Sequence, residues 1–276
     1  MSRNFSVSMC VYGGDDPQWF REAVDSLRNQ TCVPAQIVLV VDGPVPPALN
    51  EVVADCEKQP VFKVIRLPEN KGHGYARRVS FENCDHELIA IMDADDLCLP
   101  HRFEKQLAVF EKDPQVAIAG GQMSEFLDEP DNVVGYRRVS LTHEEICRDL
   151  KGRCPMNQVT VMMKKTPIEQ VGGYQDWYCN EDYYLWVRAF ANGLRFANVP
   201  EVLVNVRVGA DMYQRRGGWK YFRSEQKLQS YMRRQGIIGM GTWLVNVTKR
   251  LIVQVLLPNR LRSWVFKTFA REQTEG

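Results

Sequence analysis

With 276 residues, 45% of them hydrophobic and 25% charged, the chain is long enough to bury one sizeable α/β core with a C-terminal annex, and its composition is that of an ordinary soluble protein. It contains no internal repeats or low-complexity segments, which sets aside solenoid, fibrous and disordered classes. The net charge of +1 hides an asymmetry: residues 215–271 hold thirteen Lys and Arg against Glu225 alone, a surplus of +12 that leaves −11 for the rest and calls for an anionic partner.

Short Val-, Ile- and Leu-rich runs at Phe5–Tyr12, Gln36–Val41, Val61–Leu67 and Leu88–Met92 read as strands buried on both faces. Helical segments alternate with them at Pro17–Asn29, Ala48–Lys58 and Gly74–Asn83. This order predicts right-handed βαβ units in a parallel sheet whose strand C-terminal ends share one rim, where such sheets bind ligands. Tyr12, Asp42 and the run Asp93 to Asp96 fall on that rim. A helix is expected from Leu99 to Lys112, a strand at Val116–Gly120, and a less regular region up to "MNQVTVMMKK". Another helix is expected near Asn180, stopped by Gly193.

From Trp219 the pattern predicts two or three basic amphipathic helices. Met240, Trp243, Leu244, Val247, Leu251 and Val255 fall on one side of one of them, and Asn246, Lys249, Arg250 and Gln254 on the other. Lys249 and Arg250 interrupt any run of the roughly 20 apolar residues that a bilayer requires, so this helix is expected to lie on a surface rather than span it. A membrane surface, the catalytic domain and a second protomer are all candidate partners for its apolar side. Cations alternate with extended apolar faces, so no nucleic-acid partner is expected.

The eight cysteines form no C-x-x-C pair and several sit in apolar runs, so they are read as reduced thiols in a cytoplasmic protein. The opening "MSRNFSVSMCVYGG" lacks the apolar core of a signal peptide.

In "LIAIMDADDLCLP" an apolar strand runs into Asp93, Asp95 and Asp96. Carboxylates two apart on a turn suit a hard divalent cation such as Mg²⁺ or Mn²⁺, although the same residues could cap the following helix. Asp42 in "VVDGP" is placed to accept from a base N–H or to make a turn before Gly43. The loop "ENKGHGYARR" has neither P-loop nor dinucleotide spacing, yet could pass under a nucleotide with Arg77 or Arg78 near phosphate. Glu181 and Asp182 in "CNEDYYLWVR" are either helix-starting acids or a general base in a cleft.

Taken in order over residues 5–210, "FSVSMCVY", Asp42, "NKGHGYARR", "DADD" and "NEDYYLW" resemble the family-two inverting glycosyltransferases of GT-A fold. The resemblance implies a Rossmann-like, mostly parallel sheet flanked by helices. Its catalytic domain would span 1–214, with a nucleotide-binding half (1–98) and an acceptor-side half (99–214), followed by the helical tail 215–276. It further implies that Asp42 binds the uracil of a UDP-sugar, Asp93 approaches the ribose or a metal-bound water, Asp95 ligates Mn²⁺ or Mg²⁺ between the phosphates, and Asp182 is the catalytic base. Tyr12, Gly72, His73 and Arg77 join the donor-binding set, with Asp96 either near the donor sugar or behind the groups that touch it. "ARR" stands where the family often has "ARN", which leaves the role of Arg78 open.

The stretch "VRVGADMYQRRGGWKYFRSE" resembles bacterial members that build O-antigen and capsule repeat units, and Arg215 and Arg216 would grip a diphosphate. Asn157, Gln158 and Glu181 are the acceptor candidates. The expected activity is hexose transfer from a UDP-sugar to a polyprenyl-diphosphate-linked saccharide at the cytoplasmic face of the inner membrane. A catalytically silent nucleotide-sugar-binding scaffold is the alternative.

Overall fold

A computed structural model describes residues 4–209 and 217–258. Its sheet has the order β3-β2-β1-β4-β8-β6-β9-β5, with β7 paired to β6. The first half is parallel: β1 (Phe5–Tyr12) lies between β2 (Gln36–Asp42) and β4 (Leu88–Met92), and β2 pairs with β3 (Phe62–Arg66). Alternation along these strands builds two cores. Phe5, Val7, Met9 and Val11 of β1 with Leu88, Ala90 and Met92 of β4 enter one core, and Ile89 and Ile91 enter the other. Helices α1 (Pro17–Arg28), α2 (Pro47–Glu57) and α4 (Arg102–Lys112) cover the first core, while α3 (His73–Glu82) and α7 (Glu181–Ala191) cover the second.

The second half departs from a parallel pattern. The three-residue strand β8 (Met162–Lys164) inserts antiparallel between β4 and β6 (Val116–Phe126). β6 runs parallel to β9 (Arg195–Arg207) and antiparallel to β7 (Val133–Arg137), and the two-residue β5 (Leu97–Cys98) closes the far edge. α5 (His143–Leu150) and α6 (Lys165–Gln170) pack on this half. β6 extends six residues beyond the expected Gly120 and is buried throughout. Gly120 and Gly121 allow this, because a Cβ on either would meet Asn198 or Leu203 at 2.5 Å.

The C-terminal helices are α8 (Trp219–Arg234) and α9 (Met240–Leu251), the latter continuing as a π-helical turn at Ile252–Leu256. α8 buries Phe222, Leu228 and Met232, each contributing roughly 1.5–3 kcal/mol. α9 turns part of each expected side inward: Asn246 and Gln254 of the polar side are buried and Trp243 of the apolar side packs on the second core, whereas Lys249 stays exposed. Asn246 is buried and donates to Lys151 O and Gln229 Oε1, both at 2.8 Å. Arg250 forms a buried ion pair with Glu225 and donates to Gly152 O at 2.9 Å. Arg250 is therefore a structural anchor rather than a surface cation. Met240, Leu244, Ile252 and Leu256, spaced in multiples of four, remain 45–66% exposed. No helix among the described residues is long and apolar enough to cross a membrane.

Candidate active site

A cleft of about 1100 Å³ opens at the C-terminal ends of β1, β2 and β4, lined by Tyr12, Asp15, Asp42, Asp93, Asp95 and Glu181 together with the loop at 70–76. The rim predicted from strand alternation is thus the rim that carries the carboxylates.

Asp42 builds one wall. Its two carboxylate oxygens accept from Lys71 N at 2.7 Å and Gly72 N at 2.9 Å, and Asn70 Nδ2 donates to its carbonyl at 3.2 Å. The loop can close on Asp42 only because Gly43 (φ +85°) has no Cβ, which would lie 2.5 Å from Asn70 N. A carboxylate oxygen holding one N–H retains a second lone pair for a ligand, so Asp42 shapes the loop and can still receive a base.

Arg77 is not at the surface of the cleft. It is 1% exposed, ion-paired with Asp93, and donates from Nε and Nη2 to His73 Nε2 at 3.2 and 2.9 Å. This corrects its assignment as a direct phosphate contact. Burial works against charge on Asp93, but the Arg77 guanidinium more than offsets it and holds that carboxyl below its usual range. The same guanidinium, followed by burial, pushes His73 down to about 4. His73 is therefore neutral at physiological pH, with Nε2 occupied as an acceptor and its proton on Nδ1.

Below the "DADD" turn lie two arginines that carry no motif of their own. Arg102 is fully buried and donates to Ile91 O at 2.7 Å, placing a cation under the end of β4 near Asp93 and Asp96. Arg207, at the end of β9, donates from its backbone N to Asp96 Oδ1 at 3.0 Å and from Nη2 to Glu22 at 2.7 Å, with Trp19 and Phe126 within 5 Å of its guanidinium. Asp96 is buried behind the turn, and burial followed by Asp95 and Asp93 raises its pKa well above the ordinary range. It braces β9 from behind the turn, the second of the two places left open for it, and does not face a donor sugar. The conspicuous third acid of the motif is structural.

Asp15 is a carboxylate that motif reading missed. It lines the cleft, and burial with the charges of Asp95 and Asp93 pushes it up to about 6, against a 2.9 Å hydrogen bond from Tyr12 N that favours its anion. Its only sequence signal is its position just beyond the strand end in "YGGDDP". Among the described residues no group of three or more His, Cys, Asp or Glu is arranged to hold a metal alone. The hard oxygen donors of Asp93 and Asp95, with excess negative charge around them, fit a Mg²⁺- or Mn²⁺-type ion that takes one or two carboxylates and completes its shell with phosphate and water.

On the opposite side, α7 begins with Glu181 and Asp182. Glu181 lines the cleft, and burial followed by the charge on Asp182 pushes it up to about 7. Asp182 sits just behind, where Oδ1 accepts from Tyr183 N at 2.6 Å and Oδ2 from the Cys154 thiol at 3.8 Å. Asn157 has no exposed surface and its amide joins Gly121 O and Arg137 O, so it ties β6 to β7 and is not an acceptor contact. Gln158 donates to the buried Tyr174 hydroxyl at 2.6 Å and does not line the cleft. Arg215 and Arg216 lie outside the described residues.

The Glu181 shift has a thermodynamic consequence. A carboxyl raised from 4.5 to about 7 on folding leaves stability intact below its unfolded pKa and removes it as pH rises through about 7. Glu181→Gln is expected to stabilise the protein by on the order of 2–3 kcal/mol at pH 8 and by almost nothing at pH 4.5, measured by urea unfolding at both values. Equal effects at the two pH values would show that Glu181 is not held protonated by its surroundings.

Comparison with known proteins agrees with this geometry. The profile of Glycosyl transferase family 2 matches residues 6–171. An uncharacterized glycosyltransferase of Haemophilus influenzae is 40% identical over 97% of this chain and 99% of its own length. The Escherichia coli UDP-Gal:alpha-D-GlcNAc-diphosphoundecaprenol beta-1,3-galactosyltransferase is 33% identical over 97% of this chain and 96% of its own. The structure of S. aureus TarS 1–349 in complex with UDP-GlcNAc superposes with a TM-score of 0.66 over 96% of this chain and 76% of that one, at 15% identity, which establishes a shared GT-A fold. The chain therefore belongs to glycosyl transferase family 2.

Proposed function

We propose that the protein is an inverting hexosyltransferase that moves Glc, Gal or an N-acetyl form from a UDP-sugar to a polyprenyl-diphosphate-linked saccharide during synthesis of a bacterial surface polysaccharide such as O-antigen or capsule. The observation that carries this reading is the meeting of the "DADD" strand end and the acidic start of α7 at one cleft. The near full-length relation to the E. coli galactosyltransferase supports the donor and acceptor classes.

In this reading the loop that Asp42 pins receives the uracil, and neutral His73 offers Nδ1–H as a donor without adding charge. Asp95, with Asp93, would hold Mn²⁺ or Mg²⁺, which when bound supplies positive charge against the departing UDP. Asp95 lines the cleft and its charge raises both Asp15 and Asp96, which makes it the principal ligand in this reading. Glu181, protonated below about pH 7, donates a hydrogen bond to the acceptor. Asp182 takes the proton from the acceptor hydroxyl as that oxygen attacks the anomeric carbon from the face opposite UDP. A single displacement inverts the configuration.

UDP release screened across UDP-sugars with a synthetic GlcNAc-diphospho-lipid is expected to single out one hexose donor, with NMR showing a β-linkage formed from the α-linked donor. No release with any donor would reject this reading, and an α-linked product would reject inversion.

The exposed stripe on α9 supports a membrane surface as the site of the acceptor reaction. Met240, Leu244, Ile252 and Leu256 enter the headgroup boundary, and Lys249 faces the lipids, contributing on the order of 1 kcal/mol near an anionic surface. Trp264, Arg260, Arg262 and Lys267 would extend the stripe but lie outside the described residues. The protein is expected to float with anionic vesicles, whereas Leu244→Glu/Ile252→Glu should remain with the unbound fraction at an unchanged Tm. A wild-type protein that stays unbound, and a dimer by light scattering that the double variant dissociates, would assign the stripe to a second protomer.

A further inference from the structure

The loop that leads into α7 is held from outside the matched family region, by one face of α8. Lys220, Ser224 and Lys227 are spaced four and three apart and so share a face of that helix. The Lys220 ammonium lies 4.0 Å from the Tyr178 ring centroid and that of Lys227 lies 4.2 Å from the Trp177 ring centroid. Between them the buried Ser224 hydroxyl donates to Tyr178 O at 2.6 Å and accepts from Asn180 Nδ2 at 3.2 Å. The residue between those two contacts is Cys179, at φ +56°. A side chain with a Cβ disfavours that left-handed backbone, which persists only where its surroundings enforce it. Ser224 grips the chain on both sides of the strained residue, and Glu181 and Asp182 follow directly.

We propose that Ser224 is a positioning residue for the acidic start of α7: it holds Cys179 in its strained conformation so that Glu181 faces the cleft and Asp182 meets the acceptor hydroxyl. The inference rests on the reading of Asp182 as the base. It also explains why the basic C-terminal segment belongs to the catalytic unit. α9 is tied to α8 through Asn246–Gln229 and Arg250–Glu225, so the helix pair that presents the apolar stripe also fixes the catalytic loop.

The test uses the full chain with the best donor from the UDP-sugar screen and the GlcNAc-diphospho-lipid. Ser224→Ala is expected to lower kcat by roughly 10- to 100-fold, the cost of misplacing a reacting group by about an ångström. UDP-sugar affinity by calorimetry should change less than about twofold, because in this reading the donor is held by Asp42, its loop and the end of β4, whereas Trp177, Tyr178 and Cys179 line the α7 side of the same cleft. Amide hydrogen exchange at 177–181 should accelerate while the sheet stays protected. Cys179→Gly added to Ser224→Ala should restore several-fold of the lost rate, since glycine adopts the left-handed conformation without the clasp. If Ser224→Ala fails to fold, Lys220→Ala/Lys227→Ala, which removes only exposed side chains, should lower kcat in the same sense. Wild-type kcat in Ser224→Ala, or in the lysine pair when it is the variant used, would overturn the proposal, as would a loss that Cys179→Gly leaves unrelieved. Full activity of Asp182→Asn would instead remove the base assignment beneath it, so the two failures are distinguishable.

Discussion

Asp182→Asn is expected to bind UDP-sugar with wild-type affinity and to transfer it roughly 10²- to 10³-fold more slowly, equivalent to about 3–4 kcal/mol of transition-state stabilisation. The amide keeps the size of the side chain and leaves Oδ1 able to accept from Tyr183 N at 2.6 Å. What it removes is the capacity to take a proton. In the proposed reading the donor is held across the cleft, on the Asp42 loop and the end of β4, so calorimetric affinity for UDP-sugar should be unmoved. Unchanged kcat with weakened donor binding would make Asp182 a helix-starting acid, the bland role that its place in the first turn of α7 also permits. Glu181→Gln serves as the internal contrast. It faces the cleft and its carboxyl is raised to about 7, so its loss should alter acceptor KM more than kcat.

The parallel half of the fold was legible because its strands are buried on both faces, and continuous apolar runs as short as "QIVLVV" and "LIAIM" suit little except interior strands. The convergence of Asp42, Asp93 and Asp95 followed from strand direction alone. The second half was less legible for a physical reason. β8 is three residues long and its antiparallel placement between β4 and β6 is fixed by partners more than forty residues away, which no local pattern encodes. The two acids of "DADD" that were expected to act separately show the same limit. Asp93 is claimed by Arg77 and Asp96 by Arg207 N, and neither contact is visible until α3 and β9 are placed. Asn157 looked polar and available, yet folding commits its amide to Gly121 O and Arg137 O. α9 is the most instructive case. Periodicity sorted its residues into two sides, but the packed seam crosses that division: Asn246 and Arg250 of the polar side bond to Gln229, Glu225 and the Lys151–Gly152 carbonyls and Trp243 of the apolar side packs on the second core, while Met240, Leu244 and Lys249 stay exposed. Hydrophobic periodicity defines two faces and is silent about which one meets the protein.

The electrostatics of the cleft make Asp95→Ala the most damaging single change expected in the donor half. Asp95 lines the cleft just beyond β4, and its negative charge is strong enough there to raise both Asp15 and Asp96, so a divalent cation arriving with the diphosphate would rely on it most. Removing it should abolish UDP-dependent Mn²⁺ binding in calorimetry and lower transfer by roughly 10³-fold, since electrostatic stabilisation of a leaving phosphate contributes several kcal/mol. Folding should survive. Asp95 repels Asp15 and Asp96, and its loss relieves that repulsion, so a Tm equal to or slightly above wild type is expected. Asp96→Ala, by contrast, should destabilise the protein by roughly 1–3 kcal/mol, because the Arg207 backbone N–H at the end of β9 loses its acceptor. Wild-type turnover of Asp95→Ala in the presence of chelator would reject the metal assignment, and a lower Tm for Asp95→Ala than for Asp96→Ala would reverse the division of labour between the two acids, making Asp95 the brace and Asp96 the ligand.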